Sequence, residues 1–147
     1  MLHFSSWLQN AWLATNSLQQ LLNSGAIYIY SGPVPANADA AIDPSCVLLA
    51  TVKNGASGVT FNNAPTNGVL QKTASETWSG TIAATGTATF YRYCVGSDNG
   101  SAASVSGNYR VQGTIGTDAS YDLVVGSAAL TSGGTFPINT YQLAITQ

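Results

Sequence analysis

The chain has 147 residues and a net charge of −2, and only 7% of its residues are charged, against about 25% in a typical globular protein. Its four Lys and Arg residues are too few for the basic surface that nucleic-acid binding requires, and the low content of Leu, Glu, Lys and Arg disfavours a helical bundle. The low net charge and the aromatic residues exclude a charged disordered chain, so we expect one folded domain.

The first 24 residues carry a helical pattern. Two Ser-x-x-Gln sequences, which begin at Ser6 and Ser17, match the capping boxes that start helices. We therefore predict short helices at about 6–14 and 17–23, and Gly25 occupies the place of a glycine that ends a helix. The residues that recur at helical spacing on one face are Leu8, Ala11, Trp12, Thr15, Leu18 and Leu22.

From residue 26 onward, β-branched and aromatic runs separated by turn sequences replace the helical pattern. In one run, Arg110, Gln112 and Thr114 alternate with apolar or small residues, which predicts a strand with one face in water. Short strands at this spacing favour an antiparallel β-sandwich, either a jelly roll or a related Greek key. The predicted strands are 26–30, 46–53, 59–62, 69–73, 76–83, 87–95, 109–115, 123–125 and 136–145.

The change of pattern divides the chain into an N-terminal helical segment, residues 1–24, and a β-sandwich domain, residues 25–147. No stretch approaches the roughly 20 apolar residues that a membrane-spanning helix needs, so we expect no membrane partner. The N-terminus lacks the cationic start and the continuous apolar run of a signal peptide. We therefore expect the protein to be made and folded in a cytoplasm.

The two cysteines, Cys46 and Cys94, lie far apart in the sequence, with no CxxC pattern and no histidine nearby, so a zinc site has no support. The sequence leaves open whether they form a disulfide. Each lies in an apolar run, which favours two buried free thiols.

Few residues could carry catalysis. The single histidine, His3, lies near the terminus without a fixed neighbour. Asp39, Asp43, Asp98 and Asp118 lie in turn-like contexts, where aspartate bonds to nearby backbone. No calcium-binding loop, nucleophile elbow, HExxH sequence or phosphate-binding glycine loop is present. We expect no catalytic residue, no metal site and no cofactor, and therefore no enzyme.

Aromatic and charged residues in the strands raise two further hypotheses. Trp78, Tyr91 and Tyr93 could line a sugar-binding face, although in a small sandwich such rings more often form the core or an interface. Arg92 lies inside the most apolar strand and needs a partner, for which Glu76 is our candidate.

Several sequence stretches occur together in one order along the chain. Residues 25–41 read GAIYIYSGPVPANADAA, after a short Leu-rich helical segment, and LLAT follows at 48–51. ETWSG at 76–80, TGTATFYR at 85–92 and VQGTI at 111–115 continue the series. Over essentially its whole length the chain thus resembles a family of small proteins associated with tailed-phage virions. The resemblance implies a gene among those for virion structure, and it carries no catalytic residue.

From composition and resemblance we expect a non-enzymatic structural protein of the virion, assembled in the host bacterial cytoplasm. A capsid decoration or cement protein is the favoured role, with other virion proteins as partners and a homo-oligomer as the expected state. The alternatives are a tail, neck or baseplate adaptor and, from another class, a carbohydrate-binding receptor-recognition module. The predicted partner interface consists of Trp7, Leu8, Trp12, Leu18 and Leu22.

Overall fold

Two short helices form at the N-terminus, as predicted. In the computed structural model, which describes residues 1–144, helix α1 spans Ser6–Ala14 and helix α2 spans Leu18–Leu21. Ser17 and Gln20 form the predicted capping box of α2, in which each side chain accepts a backbone N–H of the other residue. No helix among these residues is long and apolar enough to cross a membrane.

Two details of the helix ends differ from the prediction. The N-cap of α1 is Ser5 rather than Ser6, and the Ser5 hydroxyl accepts the backbone N–H of Leu8. After α2, the left-handed conformation belongs to Ser24, with φ of 60°, whereas Gly25 already starts a strand. The predicted helix-ending glycine therefore has another role.

The strands cover most of the predicted runs but are shorter. Residues 59–62 make isolated bridges instead of a strand, and the run 136–145 is divided between two strands, with its last residue outside the described part. The strands are β1 (His3–Phe4), β2 (Gly25–Ser31), β3 (Val47–Asn54), β4 (Val69–Gln71), β5 (Trp78–Thr81), β6 (Gly86–Thr87), β7 (Phe90–Val95), β8 (Arg110–Gly116), β9 (Leu123–Val124), β10 (Ala129–Leu130), β11 (Thr135–Ile138) and β12 (Gln142–Ala144).

The strands assemble into the predicted antiparallel β-sandwich. The main sheet has the order β1-β8-β7-β2-β3-β5-β11, and two smaller ribbons, β6 with β10 and β4 with β12, complete the fold. β9 pairs with β8 in parallel at one end. Within the sheet β2 is central, since Ile27 lies opposite Val52 of β3 on one side and Tyr93 of β7 on the other.

One face of the main sheet covers a core of aromatic rings. Tyr91 and Tyr93 project from β7 toward Phe61 and Tyr141, and Trp78 completes the cluster, with ring centroids 5.6–5.8 Å apart. Trp78 is 1% exposed and the two β7 tyrosines are fully buried. These rings cannot form the sugar-binding face that the sequence suggested, because they are the interior of the protein.

Gly25 is required by this core rather than by a helix end. A side chain at position 25 would begin 2.4 Å from the ring of Tyr93, so only glycine lets β2 pass the ring. The Tyr93 hydroxyl accepts the Gly25 N–H at 3.1 Å and donates to the carbonyl of Leu22. The ring therefore connects the end of the helical segment to the sheet.

The opposite face of β7 and β8 is buried as well, contrary to the prediction of a wet face. Arg110 is 1% exposed, and Arg92 and Gln112 are fully buried. Two loops, residues 32–46 and 96–109, cover these side chains and accept their hydrogen bonds through backbone carbonyls. The alternation of polar and apolar residues along β8 could not show that loops bury its polar face, because those loops come from other parts of the chain.

Arg92 does not pair with Glu76. Its Nε donates to the side-chain oxygen of Gln112 at 2.9 Å, and its two terminal nitrogens donate to the carbonyls of Gly100 at 2.5 Å and Asn37 at 3.1 Å. Burial and the neighbouring Arg110 lower the pKa of Arg92. Neutral oxygens thus satisfy the guanidinium, which ties both loops to the sheet.

Both cysteines are free thiols, as their apolar neighbours indicated. Cys94 is buried, and its burial raises the pKa of the thiol to about 12. Cys46 is partly exposed, which differs from the expectation of two buried thiols. It lies next to β3, where its Sγ contacts the carbonyl of Pro33 at 3.4 Å.

Candidate interaction surface

The structure divides the predicted partner interface into two sets. Leu8 and Leu22 are fully buried and Leu18 is 6% exposed, because this stripe packs the two helices against their own sheet. These three leucines are therefore unavailable to a partner. Trp7, at 40% exposure, and the half-buried Trp12 remain accessible.

Leu13 is the accessible apolar residue that the sequence prediction missed. Its side chain is 84% exposed on the last turn of α1. Its angular position on the helix was the sequence signal for this exposure. At about 100° per residue, Leu13 lies well away from the stripe that begins at Leu8. An apolar residue outside the buried stripe of a helix has no packing role within the chain.

Leu13 borders a shallow cavity of about 280 Å³ between α1 and β1. Trp12 and Phe4 form its aromatic wall, with their rings edge to face and the centroids 6.1 Å apart. We call this region the helix surface, defined as Leu2, His3, Phe4, Gln9, Trp12 and Leu13. A second groove, of about 300 Å³, begins on the other side of Trp12 and runs between Leu18 and Pro65.

The helix surface is free of charge. No Lys, Arg, Asp or Glu occurs among residues 1–38. Over the whole chain, the charged side chains that are exposed rather than half-buried or buried are Asp43, Lys53 and Asp118. Since repulsion between exposed charges keeps proteins apart in solution, such a surface favours association.

Asp39 shows why so few carboxylates reach the surface. Its Oδ2 accepts the backbone N–H of Ser6 at 2.9 Å and the Ser6 hydroxyl at 2.6 Å, at the start of α1. Burial acts to raise the pKa of Asp39, but these bonds outweigh it and lower the pKa. The predicted local turn role is therefore wrong, because the carboxylate ties the loop 32–46 to the helix.

Asp43 and Asp118 confirm the predicted turn role. Each Oδ1 accepts the backbone N–H and the hydroxyl of a serine two residues later, Ser45 and Ser120 respectively, at 2.5–2.9 Å. These bonds lower the pKa of both carboxylates.

Asp98 combines a turn with a buried ion pair. Its Oδ1 accepts the N–H of Gly100 at 2.9 Å, as expected in a turn. Both of its oxygens also accept hydrogen bonds from Arg110, from Nε at 2.6 Å and from Nη2 at 2.8 Å. The sequence did not indicate this pair, since no periodicity links a turn to the neighbouring strand.

Glu76 accepts hydrogen bonds from one nearby residue, Trp78, and from the more distant Thr60. Its carboxylate accepts the Thr60 N–H and hydroxyl and the indole N–H of Trp78, at 2.6–2.9 Å. The ammonium group of Lys72 lies 5.5 Å from the centre of the Trp78 ring, within the range of a cation–π contact. With these bonds, all six carboxylates of the chain accept hydrogen bonds from within it.

The described residues contain no group of three or more His, Cys, Asp or Glu side chains that could hold a metal ion. The candidate site is the helix surface, which consists of apolar and polar residues without Lys, Arg, Asp or Glu. Comparison with protein-family models, with curated proteins and with solved structures gives no match to this chain.

Proposed function

We propose that this chain is a non-enzymatic structural protein of a bacteriophage virion, and that it acts as a decoration protein on the capsid. The observation that carries the proposal is the scarcity of exposed charge. All six Asp and Glu side chains accept hydrogen bonds within the chain, and both arginines are buried. Among the described residues, only Asp43, Lys53 and Asp118 have exposed charged side chains, whereas Arg92, Arg110 and Asp98 hold loops in place beneath the surface.

The helix surface supplies the contact in this proposal. Leu13 is 84% exposed and lies beside Trp12 and Phe4, with no Lys, Arg, Asp or Glu in the first 38 positions. An apolar patch that lies on a rigid element and is surrounded by polar groups is typical of a protein–protein contact. The partner is another virion protein or a second copy of the chain.

The two loops that are hydrogen-bonded to the sheet, 32–46 and 96–109, are suited to a protein that persists outside a cell. Arg92, Arg110 and Gln112 bind loop carbonyls beneath the surface, so these two long connections of the sandwich are bound to the sheet. Local opening of a loop is rarer when its backbone groups have buried partners. This supports an architectural role, in which the protein is exposed to solvent for long periods.

Mass spectrometry of purified virions from the phage that encodes the chain tests the proposal. We expect the protein in the particles, in hundreds of copies for a capsid decoration protein. A handful or a few dozen copies would place it in the tail, neck or baseplate, which is the second candidate. Absence from purified particles, with presence in the infected cell, would contradict both.

A further inference from the structure

Tyr121 lies between β8 and β9, and its ring packs flat on the backbone of Gly116. A Cβ atom at position 116 would lie 2.1, 2.2 and 2.4 Å from three neighbouring atoms of the ring. Such similar distances place the face of the ring, and not its edge, over the glycine. Any other residue at 116 would displace the ring, so the glycine allows this close packing.

Tyr121 is partly open to solvent. Tyr121 is 40% exposed although Gly116 covers one of its faces. It borders a groove of about 470 Å³, whose other wall comes from Thr140, which precedes β12, and Gln142, the first residue of β12. Both of these side chains are exposed. A partly exposed aromatic side chain and polar side chains from a distant segment thus meet at one cavity.

Asp122 adds a carboxylate to the groove. Its Oδ2 accepts three hydrogen bonds, from the N–H and the hydroxyl of Thr114, each at 2.9 Å, and from the amino group of Met1 at 3.0 Å. Among the residues that the structure describes, all three bonds reach Oδ2 and none reaches Oδ1, which retains its capacity to accept. The carboxylate is therefore held in position while one oxygen can bind a ligand hydroxyl.

We propose that this groove binds a neutral carbohydrate. A pyranose has one face of C–H groups, which packs on an aromatic ring, and hydroxyls around its rim, which need acceptors and donors of the kind that Asp122, Thr140 and Gln142 provide. The lining contains no Lys or Arg, and the carboxylate disfavours acidic sugars.

The groove has room for more than one sugar unit. A second cavity, of about 500 Å³, adjoins it and shares Leu123, Val124 and Thr140 as lining residues. An oligosaccharide therefore fits better than a single ring. This site is separate from the buried rings of Trp78, Tyr91 and Tyr93, and it does not depend on the virion proposal.

Saturation-transfer NMR with the purified chain tests the site. The probes are glucose, galactose and N-acetylglucosamine, together with the trisaccharides maltotriose and chitotriose. We expect saturation transfer to at least one of these sugars. If the natural ligand is a polysaccharide, a trisaccharide should bind more strongly than its monosaccharide. Equal binding of monosaccharide and trisaccharide would support the site and identify a free sugar as its natural ligand.

Four variants, one of them a control, locate the binding. Tyr121→Ala removes the ring and should weaken binding by about tenfold or more, whereas Tyr121→Phe keeps the ring and should stay within about threefold. Gln142→Ala, at an exposed position on the other wall, should weaken binding without affecting the fold. Val105→Ala, a control at a residue that is 63% exposed, should leave binding unchanged.

The proposal is overturned if none of the five sugars receives saturation, or if Tyr121→Ala and Gln142→Ala both bind as well as the unmodified chain. Neither result bears on incorporation into virions. The two proposals can therefore fail independently.

Discussion

Arg110 and Asp98 form a bidentate ion pair beneath the surface, with Nε to Oδ2 at 2.6 Å and Nη2 to Oδ1 at 2.8 Å. The guanidinium is 1% exposed and the carboxylate 10% exposed. The same arginine donates to the carbonyl of Ala102 at 2.8 Å, so the pair holds the loop 96–109 on the sheet. Together with Arg92 it forms a polar core on the side of the sheet opposite the aromatic rings.

Acid should weaken the fold through this pair. Burial acts to raise the pKa of Asp98, but the bonds from Arg110 and Gly100 outweigh it and lower the pKa below 3.8. A carboxyl group with a lower pKa in the folded state stabilises the fold above its unfolded pKa, and this stability is lost as the pH falls through the folded value. We therefore expect the free energy of unfolding to decrease below about pH 4.

Chemical denaturation of the unmodified chain and of Asp98→Asn, at pH values from about 7 to about 2, measures this effect. The variant should be less stable at neutral pH, because Arg110 loses its charged partner. Its stability should also fall less steeply in acid. Parallel pH profiles for the two proteins would show that Asp98 does not contribute to acid sensitivity.

Arg92→Ala should destabilise the protein by about 3 kcal/mol or more. The change removes a buried guanidinium and leaves the acceptors on Gln112, Gly100 and Asn37 without their donor. Denaturant unfolding measures the difference. Lys53→Ala, at an exposed position, is the matched control and should change stability by no more than about 0.5 kcal/mol. A loss below about 1 kcal/mol for Arg92→Ala would mean that these bonds form only weakly in solution.

The folded chain should resist trypsin. Of its four cleavage residues, Arg92 and Arg110 are buried, Lys72 is half-buried and only Lys53 is exposed. A protease needs an accessible and locally flexible segment, so native digestion should leave the chain intact or cut it after Lys53. The denatured chain, as the control, should be cut at all four residues. Fragments that end at Arg92 or Arg110 and appear early in the digestion of the folded chain would contradict the buried polar core.

Leu13→Asp should reduce incorporation into particles and leave the fold intact, because Leu13 is 84% exposed at the helix surface. Leu18→Asp should instead unfold the protein, since Leu18 is 6% exposed in the core. Circular dichroism measures folding, and quantitative mass spectrometry of virions measures incorporation. Normal incorporation of a folded Leu13→Asp variant would exclude the helix surface as the contact.

The local elements could be predicted because their signals lie within a few residues of one another. The capping box of Ser17 and Gln20 is a contact between residues three positions apart, and it forms as expected. The turns at Asp43 and Asp118 use serines two residues away, and they also form. The strands follow aromatic and β-branched runs, so the β-sandwich class was accessible from the sequence.

The candidate sites depended on contacts between distant segments. The alternation around Arg110 and Gln112 indicated a wet face, and only the loops folded over it make it a polar core. The stripe of Leu8, Leu18 and Leu22 indicated an apolar face, but a helical pattern does not distinguish its own core from a partner. The sequence pattern of a helix or strand does not show which of its faces a distant segment of the chain covers.

The sequence by itself thus determined the fold class, the capping box of α2 and the scarcity of charge. The tertiary structure decided where that charge lies. It placed Arg92 and Arg110 beneath two loops, with Asp98 of one loop bound to Arg110, and left few charged side chains exposed. It also buried Trp78 and left Tyr121 partly exposed. The physical reason is that burial is set by the packing of segments far apart in the chain, whereas helix caps and turns need only their immediate neighbours.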